Sequence, residues 1–124
     1  MSVADYAEDA LLNLTFNATA YSGQSTVYVK LHTGDPGEAC TSNAATETTR
    51  QAVTFGASSG GTVTSDSAAT WASVSTTETY SHVSLWDAAA AGNALWYGAL
   101  TASRSVTAGD TFSIASGDLT VSLA

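Results

Sequence analysis

Basic residues are almost absent from this chain. Its 124 residues hold only Lys30, Arg50 and Arg104 against 11 acids, a formal net charge of −8. A surface that acidic repels phosphate backbones and gains nothing from counterion release, which argues against nucleic acid as a partner. It repels anionic membranes for the same reason, so no membrane partner is expected. Charge of either sign is scarce. Charged residues make up 11% of the chain, against about a quarter in an average domain. Ser, Thr, Ala and Gly fill the space, which suits a surface covered by neighbouring proteins and suits a Ser/Thr-rich adhesin equally.

Cys40 is the single cysteine, so no internal disulfide forms and a metal site of paired cysteines is excluded. No apolar run approaches the roughly 20 residues of a membrane span. The opening MSVADYAEDALLNL carries acids instead of lysines and lacks a continuous apolar centre, so it does not read as a secretory signal. The expectation is a protein made in a cytoplasm and not secreted. The glycosylation patterns at Asn13 and Asn17 then count as coincidence.

What is present is apolar and aromatic. Hydrophobic residues make up 44%, with three Trp, five Tyr and three Phe, and this argues for a folded core. The length fits one domain over residues 1–124, with residues 1–20 as a helical arm or lid. Ser2 to about Phe16 is the helix candidate. Ser2 offers a cap, Asp5, Glu8 and Asp9 favour the N-terminal half, and Val3, Tyr6, Ala7, Ala10, Leu11 and Leu14 recur at helical spacing.

The rest reads as short strands. Ser25–His32 alternates Val27, Val29 and Leu31 against Tyr28, Lys30 and His32, then meets the turn Gly34-Asp35-Pro36-Gly37. Glu38–Arg50 is a long polar loop. Gln51–Phe55 is a short strand, Gly60-Gly61 turns the chain into Thr62–Ser65, Ala68–Val74 is a strand around Trp71, and Thr76–Tyr80 leads into the next hairpin. The heaviest hairpin is His82–Trp86 and Ala94–Leu100, joined by Asp87–Asn93. Its second arm, ALWYGAL, is apolar on both faces and is expected between other layers. Ala102–Val106, Thr111–Ala115 and Leu119–Leu123 complete the chain, separated by Gly-Asp turns. About 7–9 short strands with frequent turns predict an all-β fold, a compact antiparallel β-sandwich or barrel-like sandwich with one short N-terminal helix.

No constellation carries chemistry. His32 and His82 lie mid-strand without partners at metal-ligand spacing, so no metal is expected. Asp35, Asp87, Asp110 and Asp118 sit beside Gly, Pro or small residues, as turn-closing aspartates do, and lack a calcium-loop pattern. Serines are plentiful but no nucleophile elbow is present, so no enzyme and no cofactor is expected. Trp71 and Trp96 read as core. Trp86 faces away from Val83 and Leu85 and is expected at an exposed or interfacial position, with sugar stacking as the alternative use. Tyr6, Leu11, Leu14 and Trp86 are the candidate partner interface.

Four segments carry a resemblance: LHTGDPGE (31–38), RQAVTFGASSGG (50–61), HVSLWDAAAAGNALWYGAL (82–100) and TASRSVTAGDTFSIASGDLTVSLA (101–124). Together with the N-terminal helix they resemble a family of small tailed-bacteriophage virion proteins, described as tail fibre or minor structural proteins. The resemblance runs from Leu11 onward and implies a β-sandwich body and a structural role in the virion. A fibre needs a shaft and a receptor tip, and 124 residues without repeats supply neither. The first expectation is therefore a capsid decoration protein on the capsid exterior, bound to the major capsid protein and to itself, with a trimer favoured. A tail- or fibre-associated adhesion module and a carbohydrate-binding module are the alternatives.

Overall fold

Two long strands organise the molecule. In the computed structural model, which describes residues 1–123, Glu78–Trp86 and Ala94–Val106 pair as an antiparallel hairpin closed by the loop Asp87–Asn93. Asp87 closes that loop: its carboxylate accepts the Asn93 backbone N–H at 2.7 Å and the Asn93 amide at 3.1 Å. Numbered in chain order, the elements are β1 (Ser2–Val3), α1 (Asp5–Phe16), β2 (Val27–His32), β3 (Gln51–Val53), β4 (Thr62–Thr64), β5 (Ala69–Trp71), β6 (Glu78–Trp86), β7 (Ala94–Val106), β8 (Phe112–Ile114) and β9 (Thr120–Ser122). Every pairing is antiparallel. One five-stranded sheet runs β1-β7-β6-β2-β3, and two strand pairs, β4-β9 and β5-β8, form the facing layer. The protein is an all-β, sandwich-like fold with one short helix.

The core follows from period-two alternation. Val29 lies opposite Leu85 and Leu31 opposite Val83, so one row of both strands points inward. Against it the facing layer sets Ala69, Trp71, Phe112, Ile114, Leu119 and Val121. Phe112 is the centre of an aromatic cluster, 5.7 Å from Trp71 and 5.1 Å from Tyr80 between ring centroids. Each such apolar side chain removed from water contributes about 1.5–3 kcal/mol. The opposite face of the strand pairs is tied differently. Thr62–Ser122, Thr70–Ser113 and Thr79–Ser105 are register partners whose hydroxyls hydrogen-bond at 2.9, 2.9 and 3.1 Å.

Several boundaries differ from expectation. Ser2 does not cap the helix: with Val3 it forms β1 against Tyr97 and Trp96, and the helix starts from Ala4 without a side-chain cap. Strand pairing satisfies a backbone that an isolated N-terminus would leave open. Thr76–Tyr80 and His82–Trp86 belong largely to one strand, β6, just as Ala94–Leu100 and Ala102–Val106 are one strand, β7. A wide bulge marks the join, since Tyr80 faces Arg104 while His82 faces Ala99, leaving Leu100–Ser103 across from Ser81 alone. β7 is not sandwiched throughout: Trp96 and Tyr97 are half-buried and Ala99 is exposed, because only the two-residue β1 lies beyond it. Leu123, expected inward with Leu119 and Val121, is 60% exposed.

The long loop before β3 is held by carboxylates. Glu78 accepts the backbone N–H groups of Thr46 and Glu47, both at 3.0 Å. Glu47, 7% exposed, accepts those of Ser75 at 3.0 Å and Thr49 at 3.3 Å. Trp71 adds a bond from its indole N–H to the Thr49 carbonyl at 2.7 Å. The loop thereby closes over one end of the sheet, and its Cys40 joins Ala4, Trp86 and Ala94 in a second small core on the sheet's outer face.

Candidate functional site

The helix carries the most conspicuous surface. Ala4 and Ala7 are fully buried where α1 starts against β7, fixed by the Ala4 N–H to Leu95 C=O bond at 2.9 Å. Its second half extends past this anchorage. Leu12 is 57%, Leu14 47% and Phe16 81% exposed, and Tyr6 is 45% exposed beside Tyr21. Among the described residues, the one exposed large hydrophobic side chain outside this helix is Leu123. The helix stops where Ala18 turns into a left-handed conformation at φ 51°, with the Asn17 and Thr19 N–H groups returned to the Asn13 carbonyl. Residues 10–29 contain no charged side chain, so this apolar end is also electrically neutral in an acidic chain.

Tyr6 and Leu14 of the expected interface are thus exposed on this arm, and Leu11 is half-buried. Leu12 and Phe16 are more exposed than Leu11 and Leu14, and the sequence reading missed them. Counting along the stripe that begins at Ala7 assigns Leu11 and Leu14 to the facing side. It gives no weight to the outer side, where Leu12 and Phe16 fall four residues apart.

Trp86 is not an exposed platform. It is 9% exposed, and the Arg50 guanidinium lies over its ring at 4.0 Å from the centroid, with the Lys30 ammonium at 5.5 Å. Arg50 also donates to the Ala88 and Ala91 carbonyls, both at 2.8 Å, and so straps the β6–β7 loop onto the ring. Burial holds both Lys30 and Arg50 below their ordinary values; Arg50 adds to the effect on Lys30, and Asp87 partly opposes the effect on Arg50. With the Arg50 guanidinium already over its ring, Trp86 is not free to stack a sugar.

His32 and His82 do pair across the sheet in register. His32 is fully buried and its Nδ1–H donates to the Ser42 carbonyl at 3.0 Å. Its Nε2 therefore accepts from the Ser84 hydroxyl at 2.7 Å, and Ser84 Oγ accepts the Trp86 indole N–H at 2.7 Å. Burial pushes the His32 imidazole below its ordinary value; the Ser42 bond partly opposes this and Lys30 adds to it, and the net effect favours the neutral ring. A serine donating to a histidine is the arrangement of a nucleophilic pair. Here both side chains are fully buried and the serine oxygen already holds an indole, so the pair is a structural tie.

The remaining candidates resolve into turn chemistry. Asp35 accepts the Gly37 N–H at 2.9 Å and Asp110 the Thr107 N–H at 2.8 Å. Among the described residues, no group of three or more His, Cys, Asp or Glu side chains converges as metal ligands would. Trp71 lies in the main core, whereas Trp96 is half-buried and lines an open cleft between the two layers. Cys40 is a free, fully buried thiol, pushed up to about 11 chiefly by burial and further by Asp5.

The family model for podophage GP4 fiber I protein gp80 matches residues 2–122. The chain belongs to this fibre-protein family. It is accordingly a structural protein of a tailed-phage virion, and the match spans α1, both layers and every strand. No curated protein matches the chain. No described helix is long and apolar enough to cross a membrane.

Proposed function

We propose that this chain is a non-enzymatic structural module of the phage fibre, attached to its neighbours through the apolar end of α1. The observation that carries the reading is the exposure of Leu12, Leu14 and Phe16 on a helix otherwise anchored by β1 and Ala7. Exposed apolar surface concentrated on one element marks a protein contact. The family description favours the fibre over the capsid exterior. The burial of Ser84 and His32 favours a role without catalysis.

The test separates heads from tails and fibres in purified virions and counts copies in each fraction by quantitative mass spectrometry. The fibre reading expects the protein with tails and fibres, and expects Leu12→Ser with Phe16→Ser to prevent its incorporation. The decoration reading expects many copies on heads, bound to the major capsid protein on the capsid exterior. That result would overturn the fibre assignment.

A further inference from the structure

We infer that the apolar end of α1 in one copy enters the cleft between the two layers of a second copy, an inference that rests on the structural-module reading above. The cleft has a volume of about 360 Å³ and opens between Leu85 and Trp96 of the large sheet and Val63 and Val121 of the β4–β9 pair, with Phe55 and Leu123 on its walls. That volume lies in the range of sites that bind discrete ligands. It suits one or two side chains such as Phe16 and Leu12, which stand one helical turn apart.

Three observations select a second copy as the occupant. Among the described residues, the exposed large apolar side chains are four on α1 plus Leu123 on the cleft wall, so this exposed apolar surface divides into a projecting group and the mouth of its receptor. The chain does not satisfy itself, because Phe16 is 81% exposed and no residue of its own α1 lines the cleft, to which the following segment contributes Tyr21, Gln24 and Ser25. Charge gives the third. Two copies at −8 each repel, but none of the residues lining the cleft is charged and neither is any residue from 10 to 29, so this is a contact that like-charged copies can make.

The contact is small. One aromatic ring buries roughly 150–250 Å², well below the ~1,600 Å² of a stable interface. Free copies therefore associate weakly, and copies held side by side in a fibre associate through an effective concentration in the millimolar range. A helix end that enters a cleft elsewhere on the next molecule is a heterologous contact, which builds rings or open filaments.

The experiment is site-directed crosslinking of the full chain. Asn17→Cys, beside Phe16, and Ser58→Cys, which lines the cleft, are prepared separately, mixed and oxidised; the buried Cys40 stays out of the reaction. Mixed disulfide dimers are expected at about tenfold the yield of either variant alone, a difference of about 1.4 kcal/mol. Adding Phe16→Ser to the Asn17→Cys chain, or Leu123→Ser to the Ser58→Cys chain, is expected to remove that excess. Equal yields from Asn17→Cys alone, or an excess that survives Phe16→Ser, would overturn the inference. The two readings fail separately: tail-associated protein without mixed dimers sinks the cleft contact, and head-associated protein with mixed dimers sinks the fibre reading.

Discussion

Removing one oxygen from the core is expected to stabilise this protein. Tyr80 is fully buried, its ring packs edge-on against Phe112 at 5.1 Å, and its hydroxyl has no hydrogen-bond partner. Burial, with Glu78 and Glu47 adding to it, pushes the phenol up to about 12, so the group stays neutral but still has to be desolvated. An unsatisfied buried hydroxyl costs about 1–3 kcal/mol. Tyr80→Phe deletes that cost and leaves a void of one atom, worth only a few tenths of a kcal/mol at about 24 cal/mol per Å³. The net gain is about 1–2 kcal/mol. For a chain of 124 residues the unfolding entropy near the midpoint is about 260 cal/mol/K, so Tm should rise by about 4–8 °C. Thermal unfolding followed by tryptophan fluorescence reads this directly. A fall of Tm in Tyr80→Phe would refute the reasoning, because it would mean that the hydroxyl holds a bond, for example to an enclosed water.

Two further outcomes follow from buried titratable groups. The folded chain refuses the proton that His32 would accept in the unfolded chain at its ordinary value of 6.5. Stability from this group is therefore complete above about pH 6.5 and falls as the pH drops toward the lowered folded value. Urea midpoints at pH 7.5 and 5.5 should show that loss in the parent and in His82→Gln alike, and an unchanged midpoint would count against it. Cys40 at about 11, raised from an ordinary value of 9.0, holds roughly 100-fold less thiolate at neutral pH. Maleimide labelling should accordingly be at least that much slower in native protein than in denaturant, and equal rates would show that the loop around Cys40 opens freely.

Local chemistry was legible wherever it acts over a few residues. The alternation of Val27, Val29 and Leu31 placed β2 and its inner face, and Asp35, Asp87 and Asp110 close their turns as their neighbours implied. Long-range partners were not legible. Nothing in Ser2-Val3 announces a strand until Tyr97 and Trp96 are beside it. Trp86 looked outward because alternation distinguishes two faces without saying that the second face is also covered, here by Arg50 from 36 residues earlier in the chain. The loop from Glu38 to Arg50 read only as long and polar because its anchors, Glu78 and Ser75, come after β5 in the chain. The helix was found, but its outer residues Leu12 and Phe16 became visible as an interface only when the body proved to end short of them.

The paired hydroxyls of Thr62 with Ser122, Thr70 with Ser113 and Thr79 with Ser105 have a consequence for endurance outside the cell. Lysine–glutamate pairs in the same positions would weaken as dissolved salt screened them and would vanish once acid neutralised the carboxylates. Hydroxyl pairs carry no charge to screen and no proton to lose across the ordinary range of natural waters. A virion component built this way keeps the same exterior stitching from brackish to fresh water, with cations so scarce that few remain to be titrated or displaced.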